Sequence, residues 1–566
     1  MSYEILLINV ARDHSSVSEA FRDSIGQYSI ASYLKRKDFK AFVFSGDIKK
    51  CKKVIEKEIS NGKTNIVGFY IAADNIEVVG HIIGWTKQNY PDCKTVVGGP
   101  QAAGLNYQFF AQTQNDYAIL GEGEIPMYYL LTAIVDKVGT LSQVPGLIRK
   151  AEQEEALLVN SSENAIITNL DEIGYPMKED SLTGRLRQGE IVGIITGRGC
   201  PYHCSFCYEG ANAKNVRFRS ISNVMNEIDY ICTINPNVKF ISIYDDTFTL
   251  KKERIFEFCR EIKRRELLWF CEGHISFVIN EVNVLKTMID SGLSCIQFGI
   301  ESGSNKVLNA YNKHTNFDMI LSAIKICKKL GLHSITGNFI IGGAFESNET
   351  IEKSKELAKK LIHEAKGIIE LYTVYFAPYP NTKMVREPEI FEINILEKMK
   401  EININTMRTP VVETKKLSRN QIYDLKHEFD CFIQNEYKKA VEESTKTDIM
   451  QGLVHNGRRI SLNPTWEKLY LGKPHIVTFL EHIREEEQVF NEDFYIIRTF
   501  EDIKIENDEL ISDVGKFRGL EKDILMFATG RYKATDMAEK FHVSIKQIKE
   551  CYEKLNEQCF VYISEF

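Results

Sequence analysis

No stretch of this 566-residue chain approaches the ~20 apolar residues that a bilayer-spanning helix requires. Its first residues, MSYEILLINV, lack a basic n-region, a long apolar core and a small-residue cleavage site. They read as a first β-strand and not as an export signal. Excess positive charge is also missing: 71 Lys and Arg stand against 78 Asp and Glu, a formal net charge of −7. That balance argues against a general nucleic-acid partner and gives no pull toward an anionic membrane. No internal repeat, low-complexity tract, phosphate-binding loop or serine-type triad is legible. The odd count of 13 cysteines, their wide scatter and the missing export signal argue against a disulfide framework. A reducing, cytoplasmic setting is the expectation, with most of these thiols serving as small buried hydrophobes.

What the chain does have is a βα rhythm. Its length exceeds what one hydrophobic core supports, and 43% apolar with 26% charged residues is ordinary globular composition. In residues 1–143, apolar runs such as Ile5–Val10, Ile66–Ala72 and Tyr117–Leu120 alternate with amphipathic stretches. This predicts a doubly wound parallel sheet, in which ligands sit beyond the carboxyl ends of the strands. The turns to watch there are Ala72-Ala73-Asp74-Asn75, Gly98-Gly99-Pro100-Gln101 and Gly121-Glu122-Gly123-Glu124. Residues 144–188 read as a linker. Residues 189–400 then give six further βα units, with strands expected at Ile191–Ile195, Phe240–Ile243, Cys271–His274, Cys295–Ile300, Ser334–Ile341 and Ile369–Phe376. Six fall short of a closed barrel of eight, so a partial (β/α)₆ barrel is expected, with chemistry at the carboxyl ends of its strands. Residues 401–515 form a C-terminal extension without a readable motif. Residues 516–566 suggest helices at Leu520–Thr529, Ala534–Phe541 and Ile545–Gln558 and a strand at Phe560–Ser564, a winged-helix-like module.

The first barrel strand runs into Gly197-Arg198-Gly199-Cys200-Pro201-Tyr202-His203-Cys204-Ser205-Phe206-Cys207-Tyr208. Three cysteines at C-x₃-C-x₂-C spacing on one loop can wrap a metal centre, and thiolates favour zinc or iron–sulfur clusters. A structural zinc would want a fourth ligand at matching spacing, and no second C-x₂-C pair follows. Three ligands on a four-iron cluster leave one iron open to chelate another molecule.

These residues resemble the radical S-adenosylmethionine (SAM) superfamily, whose signature is C-x₃-C-x-aromatic-C, with Phe206 in the aromatic place. The resemblance implies a [4Fe–4S] cluster on Cys200, Cys204 and Cys207. It also implies that the open iron binds SAM, whose reductive cleavage yields a 5′-deoxyadenosyl radical. It extends along the barrel. Tyr244-Asp245-Asp246-Thr247-Phe248 is similar to the segment near the SAM amino group, which implies a SAM contact for Asp245. Gln297-Phe298-Gly299-Ile300-Glu301-Ser302-Gly303-Ser304, with Lys313 beyond it, resembles the G-x-E-S-G region and implies SAM-side roles for Glu301 and Ser302. Phe339-Ile340-Ile341-Gly342-Gly343 resembles the segment beside the adenine, implying Gly342 there. Pro378-Tyr379-Pro380-Asn381-Thr382 resembles P-x-P-G-T, with Asn381 where glycine is usual.

Upstream, Gly98-Gly99-Pro100-Gln101, Gly121-Glu122-Gly123-Glu124 and Leu170-Asp171-Glu172-Ile173-Gly174-Tyr175-Pro176 resemble the cobalamin-binding subfamily of these enzymes. A Rossmann-like cobalamin domain is implied, with Asp74, Asn75, Gly98, Gly99, Pro100, Gln101, Gly121, Glu122, Gly123 and Glu124 lining the cofactor. No D-x-H-x-x-G occurs, so a histidine ligand to cobalt by that route is not expected. The implied activity is methylation of an unactivated carbon of a specialised metabolite or peptide, with a flavodoxin- or ferredoxin-type electron donor. Two alternatives stay open: a radical SAM mutase, cyclase or epimerase without methyl transfer, and an iron–sulfur redox sensor that binds nucleic acid. Against the latter, Lys546, Lys549 and Lys554 on the last helix alternate with Glu550, Glu553 and Glu557, a poor phosphate-tracking face.

Overall fold

Five apolar runs near the N-terminus become strands of one parallel sheet, because amphipathic helices carry the chain back between them. In the computed structural model, which describes residues 4–10, 25–72, 75–163, 165–175, 177, 190–208, 215–396, 409–455, 458–482, 490 and 493–564, these are β1 (Ile5–Val10), β2 (Ala41–Gly46), β3 (Ile66–Tyr70), β4 (Lys94–Gly98) and β5 (Tyr117–Ile119). The strand order is β2-β1-β3-β4-β5-β6-β7, with β1 to β5 parallel. Connections run one way from β1 and the other way from β3, so the crevice between their carboxyl ends is a topological switch point. Both faces of β1 are covered. Leu6, Ile8 and Val10 enter one apolar layer with Ile55, Val79 and Phe109, while Ile5 and Leu7 enter another with Tyr28, Leu34 and Leu130.

The segment expected to be a linker does more than connect. It supplies β6 (Leu147–Lys150) and β7 (Leu157–Val159), which extend this sheet antiparallel. Its Leu-Asp-Glu turn is anchored at both ends. Arg36 donates to the carbonyls of Asp171 and Glu172 at 3.2 and 3.4 Å, and the Asp171 carboxylate accepts from the Ser220 amide at 2.9 Å.

The second sheet has six strands in the order β15-β14-β13-β12-β11-β8: β8 (Ile191–Ile194), β11 (Phe240–Ile243), β12 (Leu268–Gly273), β13 (Leu293–Glu301), β14 (Ser334–Ile341) and β15 (Ile369–Tyr375). A short antiparallel pair, β9 (Gly197–Arg198) with β10 (Arg217–Phe218), follows β8 and brackets the cysteine loop. The third strand lies earlier than its cysteine suggested. It ends at Gly273, and His274 instead caps the helix Ile275–Asn280 by accepting from the Ser276 amide.

Two short antiparallel pairs come next, β16 (Ile393–Ile395) with β17 (Val412–Thr414) and β18 (Val454–His455) with β19 (Arg458–Arg459). At the C-terminus, β20 (Tyr495–Arg498) pairs with β24 (Thr529–Lys533) and β25 (Val561–Ser564). A meander of β21 (Ile503–Glu506), β22 (Glu509–Ser512) and β23 (Gly515–Phe517) precedes the helix Gly519–Phe527. The helix expected to reach Thr529 therefore stops at Phe527, because Thr529 opens a strand whose second residue, Gly530, takes φ 74°. Ile496, Ile524, Met537, Ile548, Leu555 and Ile563 form the core of this module.

The chain divides into two compact units: Met1–Ile320 with Asn338–Ser354 and Thr373–Phe429, and Leu321–Gly337 with Lys355–Tyr372 and Asp430–Phe566. Among the described residues no helix is long and apolar enough to cross a membrane.

Candidate functional site

The cysteine loop leaves β9 through Gly199, whose φ of 87° suits glycine and whose amide donates to Asp246 Oδ2 at 2.6 Å. Cys200 is buried; Cys204 and Cys207 are partly so. Bracing comes from the segment that ends the helix Asn305–Ala310. The Ser205 amide donates to Tyr311 O and its hydroxyl to Ala310 O, both at 2.9 Å. Asn312 Nδ2 donates to His203 O at 2.9 Å, and Phe206 packs edge-on against Tyr311 with centroids 4.9 Å apart. Tyr202 stacks on His274 at 4.1 Å. Among the described residues no three His, Cys, Asp or Glu side chains converge on a single metal ion. In a four-iron cluster each thiolate holds a different iron, so its ligands need not meet at one point. Burial pushes the Cys204 thiol up, and the Lys313 ammonium opposes this.

Each barrel carboxylate is engaged. Asp245 is buried, and its two oxygens accept from the Thr196 amide (2.6 Å), the Gly197 amide (2.9 Å) and the Thr196 hydroxyl (2.6 Å). It thereby fixes the exit of β8 into the cysteine loop; its neighbour Asp246 is the one that faces open space. Burial raises the Asp245 carboxyl despite these hydrogen bonds. Glu301 sits at φ 63° and accepts from Lys313 Nζ at 2.9 Å. Burial would lower the Lys313 ammonium, but Glu301 more than offsets it. Ser302 is buried and holds the turn, accepting from the Ser304 amide at 3.1 Å and meeting Ser354 Oγ at 3.2 Å. Gly342 takes φ 85°, with its amide on Glu346 Oε2 at 3.1 Å. Burial lifts the Glu346 carboxyl to about 7, against hydrogen bonds from Thr350, Gly342 and Gly343. Asn381 adopts φ 66°, a left-handed conformation that asparagine tolerates better than most residues.

A cavity of about 690 Å³ opens beyond the carboxyl ends of β3, β4 and β5. Gly98, Gly99 and Pro100 line it, as do Gly121, Glu122, Gly123 and Glu124; Gly199, Tyr208, Asp246 and Asn381 complete the opposite wall. A Cβ added at Gly98 or Gly121 would meet nothing within 4 Å and would project into free space. Gly99, at φ 125°, tolerates no side chain, since a Cβ would stand 2.5 Å from Ile71 O. Bare backbone on this scale is what a large flat ligand requires for close approach.

Two of the residues expected at the cofactor lie outside the lining of this cavity. Asn75 does not reach this cavity. Its side chain accepts from the Ala72 amide at 2.8 Å and donates to Tyr70 O at 3.1 Å, closing the turn after β3. Gln101 is likewise absent from the lining, because the chain turns into a 3₁₀ segment, Ala102–Gly104, directly after it. Asp74 lies outside the described residues. Conversely, Arg198, Arg217 and Ser29 were not anticipated. Arg198 donates to Glu122 at 3.0 Å, to Glu124 at 2.6 Å and to Ser29 Oγ at 2.8 Å, and Arg217 clasps Glu122 and donates to Ile167 O at 2.6 Å. Burial would raise the Glu124 carboxyl, yet Arg198 draws it below the usual range. The only available signal was an arginine inside the cysteine motif, beside a partner turn 74 residues upstream.

Residues 194–358 match the model of the Radical SAM superfamily and form a radical SAM domain. An uncharacterized methyltransferase of Pyrococcus horikoshii is 31% identical over 48% of this chain and 57% of its own length. The anaerobic magnesium-protoporphyrin IX monomethyl ester cyclase of Rubrivivax gelatinosus is 26% identical over 58% of this chain and 60% of its own. The chain thus spans less than two thirds of these curated relatives. The solved structure of the radical S-adenosylmethionine methyltransferase TsrM from Kitasatospora setae, with cobalamin and a [4Fe–4S] cluster bound, superposes with a TM-score of 0.60. It covers 77% of this chain and 89% of that one at 15% identity, a likeness of fold.

Proposed function

We propose that this chain, whose residues 194–358 form a radical SAM domain, is a cobalamin-dependent enzyme that methylates an unactivated carbon of a small molecule or peptide. The observation that carries the reading is the convergence of the cysteine loop and a glycine-floored cavity: Gly199 and Tyr208 of the loop line the same space as Gly98, Gly99 and Gly121. Cys200, Cys204 and Cys207 would hold a [4Fe–4S] cluster, and Gly98–Pro100 with Gly121–Gly123 would floor the corrinoid. When bound, the cluster supplies the electron that cleaves SAM, and the corrinoid supplies a transferable methyl group. In net terms, one C–H becomes C–CH₃ and two SAM molecules are consumed. One gives S-adenosylhomocysteine, the other gives methionine and 5′-deoxyadenosine, and two electrons come from a flavodoxin- or ferredoxin-type donor.

The chain's own residues position these parts. Asp245 and Asp246 hold the backbone of the loop entrance, Tyr311 and Asn312 brace its far side, and the Glu301–Lys313 pair gives the barrel mouth a fixed dipole. Gly342 and Glu346 shape the turn read as lying beside the adenine. We read the six-stranded sheet as a partial (β/α)₆ barrel and the Tyr495–Ser564 module as winged-helix-like. On this reading the first domain runs through β7 and the terminal module begins near Phe490. Lys546 and Lys549 lie near Glu550 and Glu553 at 3.7 and 3.8 Å, which supports a capping or peptide-docking role over nucleic-acid binding.

A second reading, a radical cyclase without methyl transfer, is favoured by the named cyclase among the relatives. Anaerobic reconstitution with iron, sulfide and hydroxocobalamin, followed by SAM and a strong reductant, separates the two. Bound corrinoid with both 5′-deoxyadenosine and S-adenosylhomocysteine is the expected result. 5′-Deoxyadenosine with corrinoid but no S-adenosylhomocysteine favours the cyclase, and a chain that retains no corrinoid overturns the cobalamin assignment.

A further inference from the structure

The carboxylates of the Gly121–Glu124 turn face guanidinium groups more than they face the cavity, and those groups belong to the strand pair that brackets the cysteine loop. Arg198 and Arg217 are directly opposed on β9 and β10. Glu122 grips both, and Glu124, only 2% exposed, holds the second nitrogen of Arg198 together with Ser29. Cys200 lies two residues beyond Arg198, and the intervening Gly199 is pinned to Asp246. Glu122, Glu124, Arg198, Gly199, Arg217 and Asp246 all line the cavity. A chain of partly buried hydrogen bonds therefore runs from the cavity floor to Gly199, the residue before Cys200.

We propose that Arg198 and Glu124 are positioning residues that couple occupancy of the corrinoid cavity to the geometry of the cluster loop, so that cluster and corrinoid each favour the other's binding. This rests on the corrinoid reading above. The physical basis is desolvation. A ligand laid against Glu122, Arg198 and Arg217 removes water from a network of two cations and two anions, which strengthens each ion pair and stiffens the strand pair. A cluster that fixes Cys200 holds Arg198, and with it the turn that floors the cavity. Linkage makes the effect reciprocal. Glutamine at 124 keeps one hydrogen bond and loses the charge, and lysine at 198 keeps the charge but not the fork that reaches Glu122, Glu124 and Ser29 together.

The test compares hydroxocobalamin affinity of the chain with and without its reconstituted cluster, by absorbance titration, for wild type, Glu124→Gln, Arg198→Lys and the milder Ser29→Ala. In the wild type the cluster should tighten corrinoid binding about tenfold, within the usual range of coupling between sites. In Glu124→Gln and Arg198→Lys the ratio of the two affinities should fall below about threefold, whatever the change in affinity of the cluster-free forms; Ser29→Ala should lie between. Equal affinity of wild type with and without cluster overturns the inference, as does a full factor retained in both charged-site variants. A wild type that binds no corrinoid in either form overturns the reading beneath it instead, and is recognised from that titration alone. The reciprocal measurement needs no variant: corrinoid should slow iron loss to a chelator, and an unchanged rate counts against the coupling.

Discussion

The first compact unit and the C-terminal module treat charge in opposite ways. Around the cysteine loop, Glu124, Arg198, Asp245, Glu301 and Lys313 are withdrawn from solvent, and most of their partners are far away in sequence. In the terminal module, the helix Ile545–Glu557 keeps Lys546, Lys549, Glu550 and Glu553 exposed, in pairs four residues apart, and buries Ile548, Cys551, Tyr552 and Leu555. Exposed pairs of that kind contribute roughly 0.3–0.5 kcal/mol each and fix little. Buried ion networks add little net stability relative to apolar packing, but they are strongly directional and fail when one member is removed. The difference teaches where this chain needs geometry and where it needs only a fold.

The sharpest test of that contrast is the cysteine loop. Replacing Cys204 by alanine should abolish cluster incorporation and reduce SAM cleavage to that of the cluster-free chain, measured as iron content and 5′-deoxyadenosine; Cys551→Ala in the terminal module should retain both. Next comes Glu124→Ala, which leaves Arg198 buried without its nearest carboxylate. A loss of about 3–5 kcal/mol is expected from urea unfolding. A loss below about 1 kcal/mol would place this network with the surface pairs.

A third effect is pH-dependent and belongs to Glu346. In the folded chain burial holds its carboxyl at about 7, whereas in the unfolded chain it ionises near ~4.3. The native state therefore keeps a proton that the unfolded state releases between those values. The associated stability is complete below ~4.3, declines as pH rises and is gone above about 7. Glu346→Gln should flatten this slope and gain on the order of 3 kcal/mol over wild type at pH 8, read from urea midpoints between pH 5 and 8. An unchanged slope would show that another group governs it. The smallest effect is expected from Lys549→Ala, within about 0.5 kcal/mol in the same assay. A larger loss would mean that the terminal helix carries a contact its surface pairs do not reveal.

Legibility followed the range of the interactions. The Rossmann-like strands were readable because two-residue and 3.6-residue periodicities are local, and β1 and β11 lie where their apolar runs end. β6 and β7 were not, since they are only four and three residues long and β6 ends in Arg149 and Lys150; pairing with an existing sheet edge makes them strands. β24 was hidden for the same reason, its residues Thr-Gly-Arg-Tyr-Lys gaining a strand's conformation from β20. The turn glycines singled out by position, Gly98, Gly99 and Gly121, line the cavity beyond the strand ends. Charged residues did not. Asp245, read as a cofactor contact, accepts from Thr196 and Gly197, 49 and 48 residues away in the chain, while Asp246 beside it lines the cavity.

By itself, the sequence determined the chemistry that depends on residue type and short spacing: three thiols on one loop, glycines at strand ends, and the alternating apolar runs that build the sheets. Those are properties of a few consecutive residues and survive any rearrangement of the rest. Only the tertiary structure decided which carboxylate meets which guanidinium, that Asn381 takes a left-handed conformation, and that the Gly121–Glu124 turn is bonded to the strand pair leading to Cys200. A buried charge must be satisfied within hydrogen-bond reach, and which group lies within that reach is set by packing and not by order along the chain.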